Sequence, residues 1–239
     1  MWETTVDGRI LHFRLAGINN QNFIVRDEET GTWWQQVSGK AIHGPLKGRQ
    51  LKGVFHDEIS FAIWKREQPQ GRVLKPEERI AAAEQYEAAD WETRVGRMRV
   101  VEGTDIDQRL PPRTLVMGIA VGGKSIAYPL SALQKQSPII DMVGTVPIVL
   151  VLGEDKRSVR AFERIVDGRR LEFFQEPENR NEGVQLIDAE SGSRWNFEGK
   201  AIAGPLAGRQ LKKLFVLADY WFDWRIYHPD TAIYEIGPG

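Results

Sequence analysis

The stretch from Trp2 to Pro69 at the start of the chain returns near its end, from Phe162 to Pro229. Internal repetition constrains a fold more than composition does, because each copy has to build the same supersecondary unit. Val6-Asp7-Gly8-Arg9 returns as Val166-Asp167-Gly168-Arg169, and Leu11 and Phe13 return as Leu171 and Phe173. Gly39-Lys40-Ala41-Ile42 returns as Gly199-Lys200-Ala201-Ile202. Gly44-Pro45-Leu46 and Gly48-Arg49-Gln50-Leu51-Lys52 return as Gly204-Pro205-Leu206 and Gly208-Arg209-Gln210-Leu211-Lys212. Phe55, Trp64 and Pro69 have counterparts in Phe215, Trp224 and Pro229, at a constant offset of 160 (39 to 199, 64 to 224). Between these blocks the register slips by one. Gly31 and Trp34 match Gly192 and Trp195, so the first copy carries one extra residue before Gly39. Such a slip belongs in a loop, where an insertion leaves the core in place.

Each copy predicts a hairpin turning on Asp-Gly, at Asp7-Gly8 and Asp167-Gly168. A second hairpin is expected from Phe23–Val25 and Trp33–Val37, and again from Val184–Ile187 and Arg194–Phe197. The Gly-Pro-Leu-x-Gly block reads as a turn entering a short strand. A helix carrying a tryptophan should close each copy, over Glu58–Arg66 and Ala218–Tyr227, stopped by Gln68-Pro69 and His228-Pro229. Between the copies, Pro76 to Ala89 opens with proline and acids and continues in good helix formers. A polar stretch, Glu102 to Pro112, follows it. Leu115 to Tyr128 then predicts strand–turn–strand around Gly122-Gly123, Ser131 to Gln136 a helical turn, and Pro147 to Leu152 a buried strand. These elements have no counterpart ahead of Trp2. The expected fold is therefore α+β and strand-rich, built of two duplication-related units, one half and one whole. The half unit spans residues 1–75, a helical and polar linker 76–109, and the whole unit 110–239. A half unit should leave sheet edges and apolar surface to be covered by the second copy, by self-association or by chain upstream of Met1.

Composition narrows the chemistry. The chain has 41% hydrophobic and 27% charged residues and a net charge of −1, which argues against nucleic acid or an anionic membrane surface as partner. It has no cysteine, which excludes thiolate nucleophiles, thiolate metal sites and disulfides. No apolar run approaches the roughly 20 residues of a membrane span. The opening residues carry no signal-peptide pattern.

Several strings carry a resemblance. Gly118, Gly122, Gly123 and Ala127-Tyr128-Pro129-Leu130 form one, and Ile140, Asp141, Gly144 and Pro147 to Leu150 a second. Gly17, Asn22, Thr30, Gly31, Trp34, Gln36, Gly39, Ala41, Ile42 and Gly44 to Gly48 form a third. Together they resemble the bacterial and archaeal family catalogued as domain of unknown function 3179. The resemblance covers nearly the whole chain outside the linker. It implies a Cys-x-x-Cys pair after the buried strand, but Gly153 and Lys156 stand at those places. In the half unit the matching stretch would fall upstream of Met1. Family members are commonly exported, which implies work outside the cytoplasm. The family brings no established reaction.

Residues kept in both copies are most economically structural, so the shared glycines and prolines should hold turns and Trp34, Trp195, Trp64 and Trp224 should fill core. Residues kept only in the first, more family-like copy are the better site candidates. Asn22, Trp33, Gln36 and His43 are of that kind, and together with the shared Trp34 they make up the expected ligand site, where loop amides beside aromatics could orient a small polar ligand. The plainer alternative is amides capping backbone groups. No histidine pair has zinc spacing, so neither metal nor cofactor is expected. Asp27-Glu28-Glu29 and Asp188-Ala189-Glu190 read as solvated turn residues. Gly122-Gly123-Lys124 lacks a phosphate-loop frame, and Ser60, Ser131 and Ser158 lack a nucleophile elbow. The expectation is a non-catalytic or degenerate module. It would bind a small polar ligand or a protein partner, or associate with itself. The alternative is a redox or metal-dependent enzyme whose site needs a cysteine-bearing segment upstream.

Overall fold

The structure is a computed structural model, and it describes residues 1–19, 22–74, 90–98, 100, 107–176 and 183–237. The helix expected over Pro76 to Ala89 lies outside the described residues. So does the start of the polar stretch after it.

The first segment begins with a hairpin, β1 (Thr5–Val6) to β2 (Arg9–Ile10). Its two turn residues, Asp7 and Gly8, both have positive φ, 49° and 77°. That backbone matches the twist of the flanking strands, and it is why Asp-Gly marks the turn. Four antiparallel strands follow in simple meander order, β3 (Phe13–Asn19), β4 (Asn22–Asp27), β5 (Trp33–Gln35) and β6 (Ala41–His43). The segment closes with helix α1 (Phe61–Glu67), whose N-cap Ser60 accepts a hydrogen bond from the Ile63 N–H. A short helix, α2 (Trp91–Arg97), lies in the stretch between the segments.

The second segment opens with β7 (Leu115–Val121) and β8 (Lys124–Pro129), then α3 (Leu130–Lys135), β9 (Ile139–Val143), β10 (Val146–Leu152) and β11 (Val159–Glu163). It continues with hairpin β12 (Ile165–Val166) and β13 (Arg169–Arg170), then the meander β14 (Phe173–Gln175), β15 (Gln185–Asp188), β16 (Arg194–Asn196) and β17 (Ala201–Ala203). Last come β18 (Lys212–Leu214), β19 (Leu217–Tyr220), helix α4 (Trp221–Tyr227) and β20 (Ala232–Ile233).

The two meanders carry the same contacts at matching places. Trp34 and Trp195 are fully buried, and the Nε1–H of each donates to a buried carboxylate, Asp27 or Asp188, at 2.8 Å. Phe13 and Phe173 meet those indoles edge-on at 6.0 and 5.8 Å. Asp27 and Asp188, expected as solvated turn residues, are therefore buried anchors. Burial alone would raise the Asp27 carboxyl, but hydrogen bonds from Trp34 and Thr30 more than offset it and hold it below the usual range.

The second segment adds two further sheets. One runs β18-β11-β10-β9 and the other β19-β7-β8-β20, with β20 parallel to β8 and every other pair antiparallel. They pack face to face through Met117, Ile119, Tyr128, Ile148 and Leu150. The other face of β10 sends Val149 and Val151 into a second cluster under the β14–β17 meander. Buried on both faces, β10 reads as an unbroken apolar run. Gly118 of β7 is required by helix α4, because any side chain there would collide with the Trp224 ring.

Helix content is small, so the protein is mostly β and the α+β expectation overweighted the helices. The helix expected from Ala218 starts only at Trp221, because Leu217–Tyr220 pairs with β7. Helix α1 crosses from the first segment to the second, where its Ile63 joins Phe162, Trp195 and Phe197. Beside it, the guanidinium of Arg160 on β11 donates to Asp57 at 2.8 Å and to Glu67 at 2.7 Å, tying the segments together. Among the described residues no helix is long and apolar enough to cross a membrane.

Candidate functional site

Helix α4 reaches back toward the first meander, and a cavity of about 280 Å³ opens between them. Trp2, Asn22, Gln36 and Val37 line it from the first meander side, and His56 and Glu58 from the loop ahead of α1. Phe215, Asp219 and Asp223 line it from the second segment. The first residue of β4 and the first turn of α4 meet here. The Asn22 side-chain amide donates to both oxygens of Asp223, at 2.5 and 2.6 Å. The Trp2 Nε1–H donates to the Gln36 carbonyl at 2.6 Å, which pins the rim. Asp219 on β19 accepts the Tyr220 backbone N–H at 2.7 Å. The His56 ring packs on Phe215 at 4.9 Å and its Nε2 lies 3.8 Å from the Glu58 carboxylate.

Three carboxyl groups share this wall, and each titrates high. Burial pushes Asp219 up to about 7, reinforced by the charges of Asp223 and Glu58. Burial pushes Asp223 up to about 6, partly offset by the Asn22 amide. Glu58 is also raised by burial, against the opposing pull of His56 and the amino group of Met1. Like charges in a partly dry place resist joint ionisation. Near neutral pH the wall can change charge, attract a cation, or exchange a proton.

The repeat shows how unusual these acids are. Asp219 and Asp223 correspond, at the offset of 160, to Ile59 and Ile63. Ile63 is buried in the cluster of Phe162, Trp195 and Phe197, and Ile59 packs against it. Trp2 corresponds to Phe162, and the slipped turn that holds Val37 corresponds to the one holding Phe197. One junction between meander and helix is a filled apolar core, and the other is an open acidic cavity.

The five candidate residues separate into three places. Asn22 and Gln36 line the cavity. Trp34 is wholly buried in the first meander and offers a ligand no surface. Trp33 and His43 face each other across β5 and β6 on the exposed side of the sheet, with ring centres 6.2 Å apart, and neither lines the cavity. Sequence reasoning missed Trp2, Glu58, Asp219 and Asp223. The available signal was the exchange of isoleucine for aspartate at two matched positions, 59 and 63 against 219 and 223. Gly153 and Lys156, where the resemblance implied cysteines, form the turn between β10 and β11, with the Lys156 N–H donating to the Gly153 carbonyl at 3.0 Å. A side chain at Gly153 would press on Ile63 and Phe197. Among the described residues no group of three or more metal-ligating side chains comes together.

Fold and site define a mostly β protein with two similar antiparallel meanders and, among the described residues, a small acidic cavity between the first meander and helix α4. The pattern of the family described as Protein of unknown function (DUF3179) matches residues 1–231 of the 239, and the chain belongs to that family. No curated protein and no solved structure matches it.

Proposed function

We propose that the chain is a non-catalytic binding module for a small polar ligand, built by duplication from a half unit and a whole unit, with its site in the junction cavity. The observation that carries this is the contrast within the repeat. The scaffold can fill this junction with isoleucine and phenylalanine, yet one copy leaves it open and lines it with polar groups. Interior space is normally close-packed, and concave sites with a few convergent polar groups are where small ligands bind. Asn22 and Gln36, kept only in the first copy, lie on this wall.

A thermal-shift screen of the whole chain against a library of small metabolites tests it, with Val37→Trp as the plugged control. The substitution puts bulk where the other copy has Phe197. At least one compound should stabilise the native chain and not the plugged one. If every compound acts equally on both, the cavity is not a ligand site.

A second reading is favoured by one observation. A carboxyl titrating at about 7 is poised for acid–base work at neutral pH. Turnover of any library compound that is lost in Asp219→Asn would establish an enzyme instead.

A further inference from the structure

Buried charges in proteins are paired or they cost stability. Asp223 is 7% exposed, and a single amide nitrogen, that of Asn22, meets its two oxygens. A carboxylate has about four lone-pair sites, so most of its acceptor capacity is unused. Asp219 accepts one backbone N–H from its own neighbour. Among the described residues no lysine or arginine pairs with either acid, and the charges acting on Asp219 are Asp223 and Glu58, both of its own sign. Elsewhere in the molecule a buried carboxylate is met by several donors, as Asp27 and Asp188 are by an indole, a hydroxyl and a backbone N–H, and a buried cation is met by acids. Arg160, 4% exposed, has Asp57 and Glu67 against it, and Lys213 adds a further cation to Asp57 at 2.7 Å. At Asp219 and Asp223 a counter-charge is wanting, since the amino group of Met1 and the ring of His56, which line the same cavity, act on Glu58.

The other wall is aromatic. Trp2 and Phe215 line the same space, the indole held by its bond to Gln36 and the phenyl ring by His56. Aromatic faces beside carboxylates attract organic cations, through the ring quadrupole and through burial of the carbon skeleton. An anion would meet three carboxyl groups. A bare metal ion would find no three-ligand group among the described residues. The volume of about 280 Å³ lies just below the usual range of ligand pockets, roughly 300–1,000 Å³, and above the roughly 150 Å³ that holds a benzene ring, so it admits a small organic molecule.

We propose that the junction cavity receives a small organic ammonium ion, with Asp219 and Asp223 as its counter-charge and Trp2 and Phe215 as its aromatic walls. This rests on the cavity being a ligand site at all. The scaffold does not require the acids, since the matching positions in the other copy are Ile59 and Ile63. The ion supplies the charge that the buried pair lacks, and in doing so favours ionisation of both acids and expels protons from the site.

The test is calorimetric titration and tryptophan fluorescence of the whole chain at about pH 8, where the acids are ionised. The probes are n-butylammonium chloride and tetramethylammonium chloride. The controls are butanol and sodium butyrate, neutral and anionic counterparts of the first probe, and calcium chloride. At least one ammonium should bind saturably and about tenfold or more tighter than butanol, with no binding of butyrate. Asp223→Asn and Asp219→Asn keep the side-chain shape and should each weaken binding about tenfold. Near pH 7 the heat should depend on the buffer's ionisation enthalpy, with the sign of proton release. Butanol binding as well as butylammonium, saturable calcium binding in place of either ammonium, or affinity unchanged in both asparagine variants overturns the assignment. Val37→Trp separates the two failures. If it blocks butanol or calcium, the cavity stands as a site and only the ammonium assignment falls. If ammonium binding survives the plug, both fall.

Discussion

The junction beneath the second meander and the one beneath the first are built from matching pieces and reach opposite results. At the second, helix α1 delivers Ile63 against Phe162, Trp195 and Phe197, and the space is filled. At the first, helix α4 delivers Asp223 against Asn22 and leaves about 280 Å³ open beside Trp2. Both meanders keep the same internal anchor, an indole donating to a buried aspartate. The contrast teaches that the same arrangement of meander and closing helix can end in a filled apolar junction or in an open polar one, depending on which residues the helix delivers.

The sharpest way to break that comparison is to give the filled junction the acid of the open one. Ile63→Asp should cost more than about 4 kcal/mol, because it buries a carboxylate with no partner. Urea unfolding measures it, and a loss under about 1 kcal/mol would mean that the second junction is not dry. Removing the clamp between the segments should come next. Arg160→Met leaves Asp57 and Glu67 without their main cation and should cost about 3 kcal/mol by the same measurement.

A smaller effect of opposite sign belongs to the open junction. The Asp219 carboxyl is raised to about 7 in the folded chain, mainly by burial. A raised acid keeps its proton on folding, so its contribution to stability is full below the ordinary carboxylate pKa and is lost as pH rises through about 7. Asp219→Asn should therefore match the native chain at about pH 3.5, below the ordinary carboxylate range. At about pH 8 it should be more stable by roughly 1–2 kcal/mol, a value discounted for residual solvent screening. Thermal melts at the two pH values check this, and equal curves at both would show that Asp219 is not held neutral by its surroundings. The smallest effect belongs to the exposed face of the first sheet. Trp33→Ala should change stability by less than about 0.5 kcal/mol. A loss above about 2 kcal/mol would mean that Trp33 is packed against something and is not a free surface residue.

Much of the fold was legible because local rules wrote it. Asp7-Gly8 and Gly122-Gly123 demanded turns, and the apolar Pro147–Leu152 run demanded a buried strand. The start of α4 was not legible, since Ala218 to Tyr220 suits a helix as well as a strand until β7 is known to lie beside it. The site was half legible. Asn22 and Gln36 stood out as differences between the copies and do line the cavity. Trp33 and His43 stood out for the same reason yet face the other side of the sheet, because a one-residue step along a strand reverses the direction of a side chain. Asp27 and Asp188 were misread as solvated because their hydrogen-bond donors, Trp34 and Trp195, come from the neighbouring strand.

The sequence by itself determined the matching strings of the two segments, their Asp-Gly hairpins, the absence of cysteine and the family, since all of these depend on residue identity and short spacing. Only the tertiary structure decided that α1 carries Ile63 into the core under the second meander, that α4 packs its tryptophans on β7 and β8 while turning Asp223 to the first meander, and that Asp219, Asp223 and Glu58 line one cavity with Trp2. The physical reason is separation along the chain. Asn22 and Asp223 are 201 residues apart, and no periodicity or turn rule reaches that far. Their meeting depends on where two rigid sheets come to rest.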